Sequence, residues 1–214
     1  MSPPLVYCET NWLVALAFPH HEHYERAQDL LKRAKAGDCR LRIPVAALLE
    51  AKNPIAEVGG QLARTFAALR DDLARAVRNG TSGLAPLAST FQASRDVDAY
   101  SQRKALSVIE EVKNEPSVAV LDDVQSSILV MHELRLKVEL RGKDAVDLYL
   151  LAAIVHDRRQ SPVGPAIFFS TNLKEFDPKK AKVPASVYES ERLLWQKDFD
   201  PVSYTHLTLP TSDL

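Results

Sequence analysis

The chain is short of cysteine and glycine, and each shortage removes a class of chemistry. Its two cysteines, Cys8 and Cys39, form no C-x-x-C spacing and are too few for a disulfide framework. Cys8 sits in an apolar run and reads as a small buried apolar group. Only 7 glycines are present, and none has the spacing of a phosphate-cradling loop. No apolar run reaches the roughly 20 residues that span a bilayer. No charged segment followed by an apolar stretch marks a secretory signal. A cytoplasmic protein away from membranes is the expectation. Excess basic charge is also lacking, with 27 Lys and Arg against 28 Asp and Glu and a net charge of −1. That argues against a nucleic-acid binder whose affinity rests on many phosphate contacts. It leaves a nuclease open, because a carboxylate-rich site is negative until metal binds.

What is present is an ordinary globular composition. Of 214 residues, 46% are apolar and 26% charged. This is enough for one domain with a sizeable core. Val202–Leu214 differs from the rest and resembles the conceptual translation of a transposon-derived sequencing adapter. Residues 201–214 are therefore expected to be a non-native tail, with the natural C-terminal end missing. Setting them aside removes one acidic residue, Asp213, and no Lys or Arg.

Periodicity predicts alternating strands and helices. Leu5–Cys8, Leu41–Ile43, Val118–Leu121 and Ala166–Ser170 read as strands. Trp12–Phe18 reads as a helix, capped by Thr10 or Asn11 and stopped by Pro19. His23–Ala36 follows as a helix and ends at Gly37. Pro44 suits the first turn of a helix that carries Glu50. Residues 55–115 read as mostly helical. Leu62, Phe66, Leu69, Leu73 and Val77 make one apolar stripe there, a break falls at residues 79–83, and a further helix runs from about Arg95 to Val112. The arginines of this stretch could contact phosphates, but a solvated helix face is the plainer reading. Gln125–Lys137 reads as a helix. Gly142 then closes the connection to a helix over Lys143–Val155. Such alternation predicts an α/β sandwich around a parallel sheet.

Four acidic patches fall where strands hand over to helices: residues 6–11 (VYCETN), 43–50 (IPVAALLE), 142–153 (GKDAVDLYLLAA) and 166–176 (AIFFSTNLKEF). In an open parallel sheet the carboxyl ends of the strands gather along one edge, so distant patches can converge. Converging carboxylates repel, and a hard divalent cation is the usual remedy. Asp144 and Asp147 share a helix face. Glu9, Glu50, Asp144 and Asp147 would offer oxygen alone, with no His or Cys, the preference of Mg²⁺ or Mn²⁺ over Zn²⁺. Plainer readings stand beside these. Glu50 could be a surface residue in an alanine-rich stretch, Asp144 a helix N-terminal charge and Asp147 a solvent-facing residue. Glu175 and Asp177 read more readily as turn residues, and His20, His21 and His23 as an exposed loop.

In this order the patches resemble the PIN-domain family of metal-dependent nucleases, over about residues 5–200. The family pattern is a strand with an acid-Thr-Asn turn, a Glu in a later helix, an Asp opening a helix, and a strand ending in Ser/Thr-x-Asp or Asn. The matching residues are Glu9-Thr10-Asn11, Glu50, Asp144 with Asp147, and Ser170-Thr171-Asn172. The closest branch also carries Ile43-Pro44, Asp144-Ala145-Val146 and Asn172-Leu173-Lys174-Glu175-Phe176. The resemblance implies a three-layer α/β/α PIN-like fold over residues 1–200, with a central parallel sheet and 55–115 as a helical insertion. It implies an Mg²⁺- or Mn²⁺-dependent ribonuclease acting on RNA, with Glu9, Glu50, Asp144 and Asp147 as catalytic metal ligands. Thr10, Asn11, Ser170, Thr171, Asn172 and Glu175 would support those ligands or orient water. A toxin of a toxin–antitoxin pair is within the family's range, so an antitoxin protein and a second copy of the chain are candidate partners.

Two residues depart from the commoner pattern. Glu9 stands where most members have Asp, and Asn172 removes a charge. These departures keep alive a catalytically degenerate PIN-like module that binds RNA or protein. A phosphatase or other phosphoryl-transfer protein using the same carboxylates is a third reading, without a glycine-rich cradle to support it.

Overall fold

A computed structural model describes residues 3–93, 97–140, 144–162, 164–180 and 182–197. The expectations placed on Arg95, on Gly142 and Lys143, and on the tail 201–214 lie outside the described residues.

Five strands form one parallel sheet in the order β3-β2-β1-β4-β5. They are β1 (Leu5–Cys8), β2 (Arg40–Pro44), β3 (Val118–Leu121), β4 (Ala166–Phe169) and β5 (Leu194–Gln196). Side chains alternate across a strand, and β1 uses both faces. Val6 and Cys8 enter one buried apolar cluster and Leu5 and Tyr7 the other. Central strands buried on both faces read as short continuous apolar runs, and both β1 and β4 are buried along their whole length.

Helices cover both faces and make the three-layer α/β/α architecture. Against Val6 and Cys8 pack α1 (Thr10–Ala17), α2 (Tyr24–Ala36), α3 (Val45–Glu50), the start of α4 (Lys52–Arg78) and the end of α6 (Val97–Lys113). Against Leu5 and Tyr7 pack α7 (Val124–Leu134), α8 (Ala145–Gln160), α9 (Leu173–Phe176) and α10 (Ala185–Ser190). Helix α5 (Ala85–Ala93) packs with α4. Gly37 ends α2 in the left-handed region at φ 83°, and its N–H bonds to the Ala34 carbonyl.

Several boundaries move from the sequence expectation. Helix α1 begins at Thr10, and its cap is Glu9 rather than Thr10 or Asn11. Pro44 closes β2, and α3 starts one residue later. Strand β5 and helix α10 lack a clear periodic signal because both are short. The apolar stripe of α4 is only partly buried: Leu73 is covered, while Phe66 and Leu69 are exposed. The 27-residue α4 spans roughly 40 Å, whereas a four-residue strand covers roughly 13 Å. Beyond its start, α4 packs mainly against α5 and α6, and these leave Phe66 and Leu69 exposed. The ends of the 55–115 segment nevertheless join the core through Ile55, Ile109 and Val112.

Beneath the sheet on the α8 side, Tyr7 and Arg42 are register partners on β1 and β2. The Tyr7 hydroxyl donates to Asp157 of α8 at 2.7 Å, and the Arg42 guanidinium pairs with the same carboxylate. Burial, then the Asp157 charge, pushes the Tyr7 hydroxyl well above its usual range. This triad fastens the C-terminal end of α8 to two strands.

Candidate metal centre at the sheet edge

Strand order reverses between β1 and β4, so the connections leave these neighbours in opposite directions. A crevice opens there, outside the carboxyl ends. Glu9 follows β1 and Ser170 follows β4, and the two meet in it. The Ser170 hydroxyl donates to Glu9 Oε1 at 2.9 Å. Glu9 has extended backbone and caps α1. Its carboxylate also accepts from Asn11 Nδ2 at 2.9 Å. A carboxylate at a helix N-terminus meets unpaired N–H groups and the positive end of the helix, which explains a fully covered acid at the end of an apolar strand.

The other sequence-predicted residues arrive from three directions. Glu50 is the last residue of α3 and accepts from the Thr10 hydroxyl. Asp144 caps α8 and is buried. Asp147 lies in the first turn of α8 and accepts from Asn172 Nδ2 at 3.3 Å. The Asn172 backbone N–H donates to the Ser170 hydroxyl at 3.0 Å, tying the end of β4 into the same network. Thr171 contributes its backbone carbonyl, which accepts from Leu173. Glu175, read more readily as a turn residue, is buried within the cluster. Glu50 and Asp147 are half-buried, and each accepts a side-chain hydrogen bond, from Thr10 and Asn172 respectively. His21 accepts from the His23 backbone N–H, and His20, His21 and His23 lie apart at the start of α2.

Lys182 is the residue that sequence reasoning missed. Its Nζ lies 3.1 Å from Asp144 Oδ2 and 3.1 Å from Glu175 Oε1. It falls in an irregular stretch between α9 and α10, where no periodicity assigns a side chain to a face. The only signal was a cluster of lysines, Lys179, Lys180 and Lys182, a few residues beyond an acidic turn, with nothing to single out Lys182.

Burial, with repulsion between the acids added to it, raises the proton affinity of two members of the cluster. Glu9 is pushed up to about 7, mainly by burial, with Asp147 and Glu50 adding repulsion against the bonds from Ser170 and Asn11. Asp147 is pushed up to about 6, by burial first and then by the charges of Glu50, Glu175 and Asp144, with Lys182 opposing. Five carboxylates thus feel one another across the crevice.

The donor set fits a hard divalent cation in kind, being oxygen alone and short of positive charge. It is not gathered around one point. Among the described residues, no three His, Cys, Asp or Glu side chains stand placed to hold a metal ion. The carboxylates are instead taken by Ser170, Asn11, Thr10, Asn172 and Lys182. The expected ligand shell of Glu9, Glu50, Asp144 and Asp147 is therefore a shared crevice with hydrogen-bonded acids, and coordination requires side-chain rotation.

Glu9 gives a pH prediction with a definite sign. Its folded-state affinity for a proton exceeds the unfolded value, so the folded state holds more protons between about pH 4.5 and 7. Its stabilising contribution is complete below the unfolded value and is lost as pH rises through about 7. Metal-free protein should lose up to roughly 3 kcal/mol from this group across that window. Melting temperatures of wild type and Glu9→Gln in chelator, taken from pH 4.5 to 8, measure it. The difference between the two proteins should change with pH, and parallel curves would show that Glu9 titrates normally.

Compared with protein-family models, the chain matches none, and no curated protein matches it either. Among the described residues no helix is long and apolar enough to cross a membrane.

Proposed function

We propose that this chain is a PIN-like ribonuclease that hydrolyses RNA phosphodiester bonds with Mg²⁺ or Mn²⁺. One observation carries this reading: Glu9, Glu50, Asp144 and Asp147, from three separate segments, converge at the carboxyl edge of a parallel sheet, where Asp147 and Glu50 act on Glu9 and Glu50 and Asp144 act on Asp147. A structural role alone gives little reason to crowd buried acids at a topological switch point.

A bound divalent ion supplies activation of a water and stabilisation of the leaving oxygen. Glu9, Glu50, Asp144 and Asp147 would hold it. Ser170 and Asn11 orient the Glu9 carboxylate, Thr10 orients Glu50 and Asn172 orients Asp147. Supports of this kind commonly alter metal affinity or activity by about 10–100-fold. The resemblance makes RNA the substrate class. A toxin role, with an antitoxin partner or a homodimer, belongs to the same proposal.

Lys182 favours a second reading, a degenerate module that binds RNA or protein without cutting. A cation already spans Asp144 and Glu175, and Asn172 contributes no charge.

Mn²⁺ separates the two. Binding to the folded state alone stabilises by mass action, about 2.7 kcal/mol at a hundred times Kd. Millimolar Mn²⁺ should therefore raise the melting temperature by several degrees, and a mixed RNA pool should be cut when Mg²⁺ or Mn²⁺ is added. Unchanged melting would remove the metal-site reading. Raised melting without cleavage would favour the binding module.

A further inference from the structure

We propose that Lys182 is a built-in counter-ion which a divalent cation must displace from Asp144 and Glu175, so that the chain sets its own threshold for metal binding. The inference rests on the metal-site reading above and concerns one residue outside the resemblance motifs.

The geometry supplies the argument. Lys182 Nζ lies 3.1 Å from each of two buried carboxylates, Asp144 and Glu175. An ammonium midway between two acids satisfies part of the charge that a metal would otherwise satisfy. Both carboxylates hold its proton firmly, raising Lys182 above the usual lysine range. The cation therefore remains charged throughout the physiological range and competes as a charge. One positive charge against two negatives leaves a net negative trio, and Glu9, Glu50 and Asp147 add to it. Competition from Lys182 is thus partial, and a doubly charged ion retains an electrostatic advantage.

The residue is also built to leave. Its backbone is pinned, because the Lys182 carbonyl accepts from the Glu139 N–H at 2.8 Å and the neighbouring Val183 is fully buried. The side chain is not enclosed, with 24% of its surface exposed. A flexible four-carbon stem on a fixed backbone can swing its ammonium into water without unfolding its surroundings. Displacement then releases Asp144 Oδ2 and Glu175 Oε1 from Lys182 together, with Lys174 still 3.9 Å from Glu175 Oε1.

Mn²⁺ titration by calorimetry, on protein freed of metal by chelation, tests this without any RNA. Lys182→Met removes the competing charge and keeps the apolar stem. Its Mn²⁺ dissociation constant should fall about tenfold relative to wild type, within the usual range for coupling between sites. Lys182→Arg restores the charge and should return affinity to within about threefold of wild type. Lys182→Gln, a shorter neutral residue, should follow Lys182→Met and replaces it if that variant does not fold. Equal Mn²⁺ affinity across wild type, Lys182→Arg and the neutral variants would overturn the counter-ion role and leave the metal site standing. Weaker binding by the neutral variants would also overturn it, because Lys182 would then be organising the site. Absence of Mn²⁺ binding by all of them would overturn the metal reading and the counter-ion role together.

Discussion

Asp144→Asn should abolish metal-dependent RNA cleavage while the protein stays folded. The substitution keeps size and an acceptor oxygen for Lys182, so the local bond pattern can survive. It removes one full negative charge from a position at the N-terminus of α8 facing four other acids. A metal-assisted phosphoryl reaction draws several kcal/mol from charge stabilisation, so loss of a ligand charge should slow cleavage by roughly a thousandfold. Single-turnover cleavage of an RNA pool, with melting temperature measured alongside, gives both readouts. Activity within tenfold of wild type would remove Asp144 from the ligand set. Asn172→Asp is the complementary change. It restores the acid that most PIN domains carry beside Asp147 and should tighten Mg²⁺ binding. If wild type cuts no RNA with either ion and Asn172→Asp gains nothing, the binding-module reading takes over.

Asp157→Ala should give the largest loss of stability. It leaves the Arg42 guanidinium, only 17% exposed, without its carboxylate, and it strips the fully buried Tyr7 hydroxyl of its acceptor. Removing one member of a buried pair costs about 3–5 kcal/mol, mostly because the remaining charge stays desolvated. For a domain of this size that is roughly a 10 °C fall in melting temperature. The double replacement Arg42→Met with Asp157→Leu should recover much of the loss, since an apolar pair of similar volume carries no stranded charge. Denaturant unfolding of the three proteins makes the comparison. A loss under about 1 kcal/mol for Asp157→Ala would mean that water reaches Arg42 freely. Because Asp157 lies on α8 far from Asp144, the same variant tests whether the fastening of α8 to β1 and β2 sets the acids' positions. Metal affinity should weaken along with stability.

Much of the architecture was legible in the residues. The short apolar runs Leu5–Cys8, Val118–Leu121 and Ala166–Phe169 announce strands, the first and last of them buried on both faces, and Gly37 announces the end of α2. Those signals are local: periodicity, caps and turn formers act within a few residues. So too is the placement of Glu9, Asp144 and Asn172 at helix starts, although of the three only the Glu9 side chain bonds to a backbone N–H there. Sequence therefore determined the α/β class, the parallel alternation and the candidate acids.

Tertiary structure decided which of these residues meet, and in what state. Strand order is not written locally, because β4 pairs with β1 only after β2 and β3 have added to the other side of β1 and the chain has crossed back over them. Only that order brings Ser170 to Glu9 and Asn172 to Asp147. Phe66 and Leu69 stay exposed because α5 and α6, the main partners of α4, do not cover them, which helical periodicity cannot tell. Lys182 was hidden for the same reason. Its partners lie 38 and 7 positions away, and an irregular segment carries no period to aim its side chain. The chain specifies its elements through neighbours in sequence, whereas its charge balance follows from neighbours in space.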